Sequence, residues 1–251
     1  MKNTNLYNYI LGIADNSLIL GQRLGELCGH GPTLETDIAL TNISLDLFGQ
    51  VRSYYQYAAK IAGDDLSEDT IAMMRPEREY VNTLIVEQPN TGFAYVIARQ
   101  FLFDMYHFMF LKELQNSSDE TLEAIAKKSI KEVSYHLRFS SDWVKRLGDG
   151  TEESHKRIQN AINDLWTYTD ELFHQTEADN IMITEGVGVD TSKLKEEYYR
   201  NVSEVLKEAI LEVPDLKYFQ KGGKQGIHTE HMGYILAELQ YMQRAYPNMS
   251  W

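Results

Sequence analysis

Asp104-Met105-Tyr106-His107 and Glu132-Val133-Ser134-Tyr135-His136 each place a carboxylate and an imidazole at helical spacing. Residues three or four apart share one face of a helix. A carboxylate oxygen and an imidazole nitrogen can then reach the same metal ion. A di-metal carboxylate bundle asks for more: a Glu from each of two helices and Glu-x-x-His from each of the other two. Asp104…His107 is the nearest variant on an inward-facing stripe, with the shorter Asp in the Glu place and no second pair beside it. Glu132 falls at the flank of its stripe, so a hydrogen bond or salt bridge is its ordinary role. A buried Asp and His on an apolar stripe also fit a satisfied polar pair with no metal.

Other constellations are weaker. His228-Thr229-Glu230-His231 concentrates two imidazoles and a carboxylate where a helix should begin. A zinc site would need further ligands; as a plain helix start, Thr229 would cap it and Glu230 would favour its positive end. The preceding Lys221-Gly222-Gly223-Lys224-Gln225-Gly226 joins glycines and two ammonium groups ahead of that helix. Such a loop can meet a phosphate in principle, so Lys221 and Lys224 are candidate contacts for a phosphate or a partner; an ordinary loop is the alternative. It is not a Walker A loop, whose spacing and terminal Ser or Thr are missing. No Gly-x-Ser-x-Gly elbow is present. Cys28 is the one cysteine, so no internal disulfide can form.

The elements that must position these residues read as helices. Leu40, Ile43, Leu47, Val51, Tyr54, Ala58 and Ile61 recur at three- and four-residue steps after Thr33, a suitable N-cap. Gly63-Asp64-Asp65 ends that helix. A first helix spans about 6–27, before the Gly29-His30-Gly31-Pro32 breaker. A third spans about 92–114 with Phe93, Ile97, Phe101, Asp104, His107, Phe108 and Leu111 on one stripe. A fourth spans about 119–147 with Leu122, Ala126, Ser129, Val133, His136, Ser140 and Trp143. A fifth spans about 152–173 with Ile158, Ile162, Leu165, Thr169 and Leu172. A short helix is expected around 77–86 with Pro76 at its start, a polar loop over 177–191, a sixth helix over 193–211 ended by Pro214, and a last one over 229–244. Five Pro and sixteen Gly are few for this length, which favours long helices. The expected fold class is all-α: an up-and-down bundle of four main helices with flanking ones.

Composition bounds the partners. Hydrophobic residues at 43% and charged ones at 24% are those of a globular protein with a full core. Twenty-four Lys and Arg against thirty-seven Asp and Glu leave a formal charge of −13. Such a chain repels nucleic-acid phosphates and anionic lipid surfaces. The N-terminal stretch, broken by Asp15 and Asn16, reads as neither a signal peptide nor a membrane span. The cytoplasm is the expected location.

Four stretches carry a resemblance: LILGQRLGELCGHGPTLETDIALTNISLDLFGQ (18–50), VEQPNTGFAYVIARQFLFD (86–104), IKEVSYHLRFSSDWVKRLGDGT (130–151) and GGKQGIHTEHMGYILAELQYMQR (222–244). With their spacing they resemble the C-subunit family of the bacterial phenylacetyl-CoA epoxidases, the ring 1,2-epoxidases of aerobic phenylacetate degradation. The resemblance covers essentially the whole chain. It implies one ferritin-like domain over 1–251 and a tight complex with a homologous catalytic A subunit. That subunit would hold a di-iron centre and phenylacetyl-CoA. A small B subunit would help organise the assembly, and a reductase with flavin and iron–sulfur groups would supply electrons from NADPH.

The same resemblance implies a dismantled metal site. The two Glu-x-x-His motifs of the catalytic relatives fall on Leu47-Phe48-Gly49-Gln50 and Val133-Ser134-Tyr135-His136, and a first-helix Glu falls on Ser17. Only His136 and, on the third helix, Asp104 survive as ligand types. The expectation is a non-catalytic subunit that binds no cofactor itself and braces the di-iron subunit. Two other readings stand beside it. One is an independent di-metal oxidase using Asp104, His107, Glu132 and His136, which metal content would reveal. The other is a self-associating helical scaffold, such as a homodimer of the chain alone.

Overall fold

The structure is a computed structural model that describes residues 3–63, 66–247 and 249. Among these residues every regular element is helical. The chain packs as two compact units, residues 1–87 with 222–251, and residues 88–221.

The first unit is organised by a long helical hairpin, α1 (Thr4–Gly25) and α2 (Leu34–Ala62). Thr33 caps α2 as its sequence position predicts, its hydroxyl accepting from the Thr36 amide at 3.3 Å. Gly63, at φ +111°, closes the helix; Asp64 and Asp65, expected to share that stop, lie outside the described residues. The hairpin is antiparallel. Ser44 donates to the Gly21 carbonyl at 2.7 Å, and further along Tyr55 donates to Asp15 at 2.5 Å. Of the expected α2 stripe, Leu40 through Ala58 is buried and Ile61 is half-buried. Three shorter helices complete the unit: α3 (Glu68–Met73), and α9 (Glu230–Leu239) running into α10 (Tyr241–Ala245). The helix expected around 77–86 is instead two 3-10 turns, Glu77–Glu79 and Leu84–Glu87, with Pro76 in front of the first. Backbone donors here find side chains rather than helical carbonyls: Val81 and Thr83 bond to Asp15 and Asn16.

The second unit rests on a second long hairpin, α4 (Phe93–Leu114) and α5 (Glu120–Gly148). Every residue of α4 from Val96 to Leu111 is buried except Phe108, so this helix is core on all sides. On α5 the buried positions are Leu122, Ala126, Ser129, Val133, His136, Ser140, Val144 and Gly148. Trp143, expected on that stripe, sits beside it and meets Phe93 edge-on at 4.9 Å. Asp119 caps α5 by accepting from Thr121 and Leu122.

Against this hairpin lie α6 (Glu152–Trp166), α7 (Glu177–Thr184) and α8 (Lys195–Glu208). The fifth predicted helix therefore ends early. Thr169 and Leu172 are buried as expected, but Leu172 lies on a 3-10 turn over Asp170–Phe173 and Thr169 just before it. The polar loop expected over 177–191 is helical at its start, because Thr176 and Asp179 form a capping box that satisfies both ends of the first turn. Helix α8 stops well before Pro214. Its end is a Schellman motif: Leu211 N–H bonds Leu206 at 2.8 Å, and Ile210 N–H bonds Lys207 at 3.1 Å. No helix of the described residues is long and apolar enough to cross a membrane.

Candidate functional site

Each unit holds part of the expected ligand set. In the first, Ser17 on α1 and Leu47 and Gln50 on α2 are all buried. The Ser17 hydroxyl has no hydrogen-bond partner. Leu47 and Phe48 close over Gly21, where an added Cβ would stand 3.1 Å from the Phe48 ring and 3.4 Å from the Leu47 Cβ. The place expected for one Glu ligand is thus filled by hydrocarbon.

In the second unit Asp104 and His136 come together, with His107 beside them. Gln100 donates to Asp104 Oδ1 at 2.6 Å and Ser140 donates to Oδ2 at 2.8 Å. Burial pushes the Asp104 carboxyl up to about 6, against the opposing pull of His136 and the two donors. Burial also holds His107 down to about 3, with the charge of His136 acting in the same direction, so its imidazole is neutral. Val133, one turn from His136 on α5, is fully buried.

This donor set does not fit a di-iron centre. Ser, Leu, Gln and Val occupy four of the six matched positions. The one surviving carboxylate has both oxygens engaged by neutral donors. Among the described residues no group of three or more His, Cys, Asp or Glu side chains could hold a metal ion. Of the four residues of the independent di-metal reading, Asp104, His107 and His136 lie in the buried core, while Glu132 stands at the partly exposed flank of α5. Strict Glu-x-x-His spacing does occur twice, away from the long stripes. Glu152 is exposed at the start of α6 while His155 bonds the Gly148 carbonyl at 2.7 Å. Glu171 and His174 lie on a 3-10 turn, where His174 faces Asp170 at 3.5 Å.

The histidine at 228 has a different partner from any expected. Its Nδ1 lies 2.5 Å from Glu87 Oε1 and its Nε2 lies 2.9 Å from the Tyr80 carbonyl. Two acceptors on two ring nitrogens require both to carry protons, and hydrogen bonding to Glu87 raises the His228 pKa over the opposing effect of burial. Thr229 sends both its amide and its hydroxyl to Glu87 Oε2, so it makes no side-chain cap. The glycines of the 221–226 loop serve the same junction. A Cβ on Gly223 would lie 2.2 Å from the Asn82 carbonyl oxygen, and one on Gly226 equally close to that of Arg78. They allow two backbones to touch. Lys221 is exposed and Lys224 half-buried.

Asp15, in sequence only a break in an apolar stretch, is the centre of a buried polar node. Arg75 clamps it through both guanidinium ends at 2.6 and 3.0 Å, and Tyr55 and the Val81 amide complete its shell. Arg75 also lies 4.1 Å over the Tyr80 ring, and Gln240 of α9's end bonds both the Arg75 carbonyl and the Tyr80 hydroxyl.

The phenylacetic acid catabolic protein family matches the chain over residues 1–251. One curated relative is the C subunit of the 1,2-phenylacetyl-CoA epoxidase of Escherichia coli (strain K12). It is 49% identical over 243 residues, covering 97% of this chain and 98% of that protein.

Proposed function

The chain belongs to the phenylacetic acid catabolic protein family, and from that premise we propose that it is a non-catalytic subunit of a multicomponent phenylacetyl-CoA ring 1,2-epoxidase. Its role is to brace a homologous di-iron subunit. The observation that carries this is the pairing of an intact ferritin-like helical frame with fully buried Leu47 and Val133 at matched ligand positions. An empty site of several buried carboxylates would suffer mutual repulsion and lost hydration. Leu and Val at those positions instead stabilise by about 1.5–3 kcal/mol each when fully buried. Selection on such a chain acts on its frame and its surface.

The chain itself binds no iron and takes no direct part in oxygen chemistry. Iron and the acyl-CoA belong to the catalytic partner, and electrons from NADPH arrive through the flavin and iron–sulfur groups of a reductase. A small B subunit is the third partner. Lys221 and Lys224 are left as contacts to a CoA phosphate or to a partner. Replacing both lysines with Ala and finding unchanged affinity of the assembly for a CoA ester would remove that contact.

The bracing role is tested by expressing the catalytic subunit with and without this chain. The expected result is a catalytic subunit that aggregates or turns over poorly alone and is restored by co-expression. A catalytic subunit that is soluble and fully active alone would overturn the role.

A further inference from the structure

We propose that the groove bounded by α4, α5 and α8 receives a basic amphipathic helix from another subunit of the assembly; this rests on the functional reading above. The groove is an open hollow of about 310 Å³. Its floor is apolar: Met105 and Met109 of α4 are buried beneath it, and Phe108 and Leu137 are half-exposed to it. Methionine and aromatic floors adapt to the side chains laid on them. The rim is acidic, with Glu113, Glu197, Glu204 and Glu208 against a single lining cation, Lys112. Glu208 pairs with Lys145 at 2.5 Å and Glu197 meets Arg200 only at 3.9 Å. Glu113 and Glu204 have no ion-pair partner among the described residues. An apolar trough under four rim carboxylates, two of them without an ion-pair partner among the described residues, matches a helix with apolar side chains at i, i+3 or i+4 and i+7 and Lys or Arg alongside.

A second observation lies just beyond the end of α8. Ile210, two residues beyond Glu208 at the α8 end of the groove, has φ +58° and is 64% exposed. A β-branched residue is unusual in the left-handed region, and glycine is usual at this helix-end position. The segment is also held in place, since Gln159 of α6 bonds the Glu212 amide at 2.8 Å and its carbonyl at 3.1 Å. A fixed, exposed isoleucine in a strained conformation gives the isolated chain nothing. Covered by a partner, it is a rigid apolar contact.

Charge decides among occupants. A CoA ester or nucleotide would bring phosphates to four carboxylates. A second copy would offer its own exposed apolar helix stripe, Leu34, Ile38 and Leu45 of α2, which is flanked by Glu35 and Asp46; acid would again meet acid. A basic helix of a different subunit meets neither obstacle.

The test uses the full chain with the co-expressed A and B subunits of its epoxidase. The wild-type chain and the Glu113→Lys/Glu204→Lys double variant are compared for affinity at two salt concentrations, and amide exchange is followed along residues 197–208 with and without partners. The account expects the variant to bind at least about tenfold more weakly with a flatter salt response, and the α8 amides of the wild type to be protected in the complex. Circular dichroism and melting of the variant alone confirm an unchanged fold. Wild-type affinity of the variant, or α8 amides that exchange equally in the complex, would overturn the proposal. So would a wild-type homodimer that the same substitutions dissolve, since the occupant would then be a second copy. A wild-type chain that joins neither subunit would instead overturn the functional reading, and this one with it.

Discussion

Leu47 and Val133 are fully buried, so a carboxylate at either position would lose its hydration in a site packed for hydrocarbon. Val133→Glu should lower stability by several kcal/mol, read as a fall in denaturant midpoint, with no gain of bound metal. Leu47→Ala tests packing alone and should cost about 2–5 kcal/mol. Asp15 is the opposite case, a buried charge whose partner is in place; Asp15→Ala strands the Arg75 guanidinium and should cost about 3–5 kcal/mol. Two histidines set pH dependence of opposite sign. The folded pKa of His228 lies above its ordinary 6.5, so its contribution is complete below pH 6.5 and is lost as pH rises through the raised value. His228→Gln should therefore lack that alkaline loss in unfolding measured from pH 6 to 9. His107 is held down to about 3 from 6.5, so it costs stability as pH falls through that window. His107→Gln should gain on the wild type as pH drops from 6.5 toward 3, and a constant difference between the two would contradict the buried neutral imidazole. Both histidines stood out by residue type. The partner of His228, Glu87, lies 141 positions away in sequence, and no local pattern points to it.

Helix ends show what local reading can and cannot reach. Thr33 and the long stripes of α2 and α5 were legible because caps and periodicity are properties of a few adjacent residues. The capping box of Thr176 and Asp179 was equally local and was masked by the polar character of the stretch around it. The stop of α8 was not legible, since the Schellman position holds Ile210 where a glycine would mark it. Ile210→Gly should relieve the left-handed strain and stabilise the isolated chain by about 1 kcal/mol, seen as a rise in melting temperature. The 221–226 loop makes the reverse prediction. Gly226 has φ +72°, and an added Cβ would stand 2.2 Å from the Arg78 carbonyl oxygen, so Gly226→Ala should cost about 1–3 kcal/mol through overpacking. Unchanged melting of that variant would mean the two backbones are not in contact. The glycines were conspicuous in sequence as a phosphate-type loop; their use in backbone packing depends on residues 78–82, far away along the chain.

At the scale of the whole molecule, the chain is an all-helical frame built on two long hairpins, and on the proposed reading Ser17, Leu47, Gln50 and Val133 stand where a catalytic relative would carry metal ligands. The fold class was legible because each long helix declares itself by period. The proposed loss of ligands at those positions comes only from setting them beside the family's motif, since Leu and Val on an apolar stripe are otherwise ordinary core. A formal charge of −13 opposes approach to nucleic-acid phosphates and anionic lipid. The central claim is that this chain supports oxygen chemistry without performing it. Iron per chain, measured by plasma mass spectrometry on the chain purified alone after growth with iron and on the complex with its catalytic partner, tests that claim most directly. The account predicts iron far below one per chain alone and iron in the complex at the level of the partner's centre. About two irons bound to the isolated chain, the complement of a di-metal carboxylate bundle, would contradict it.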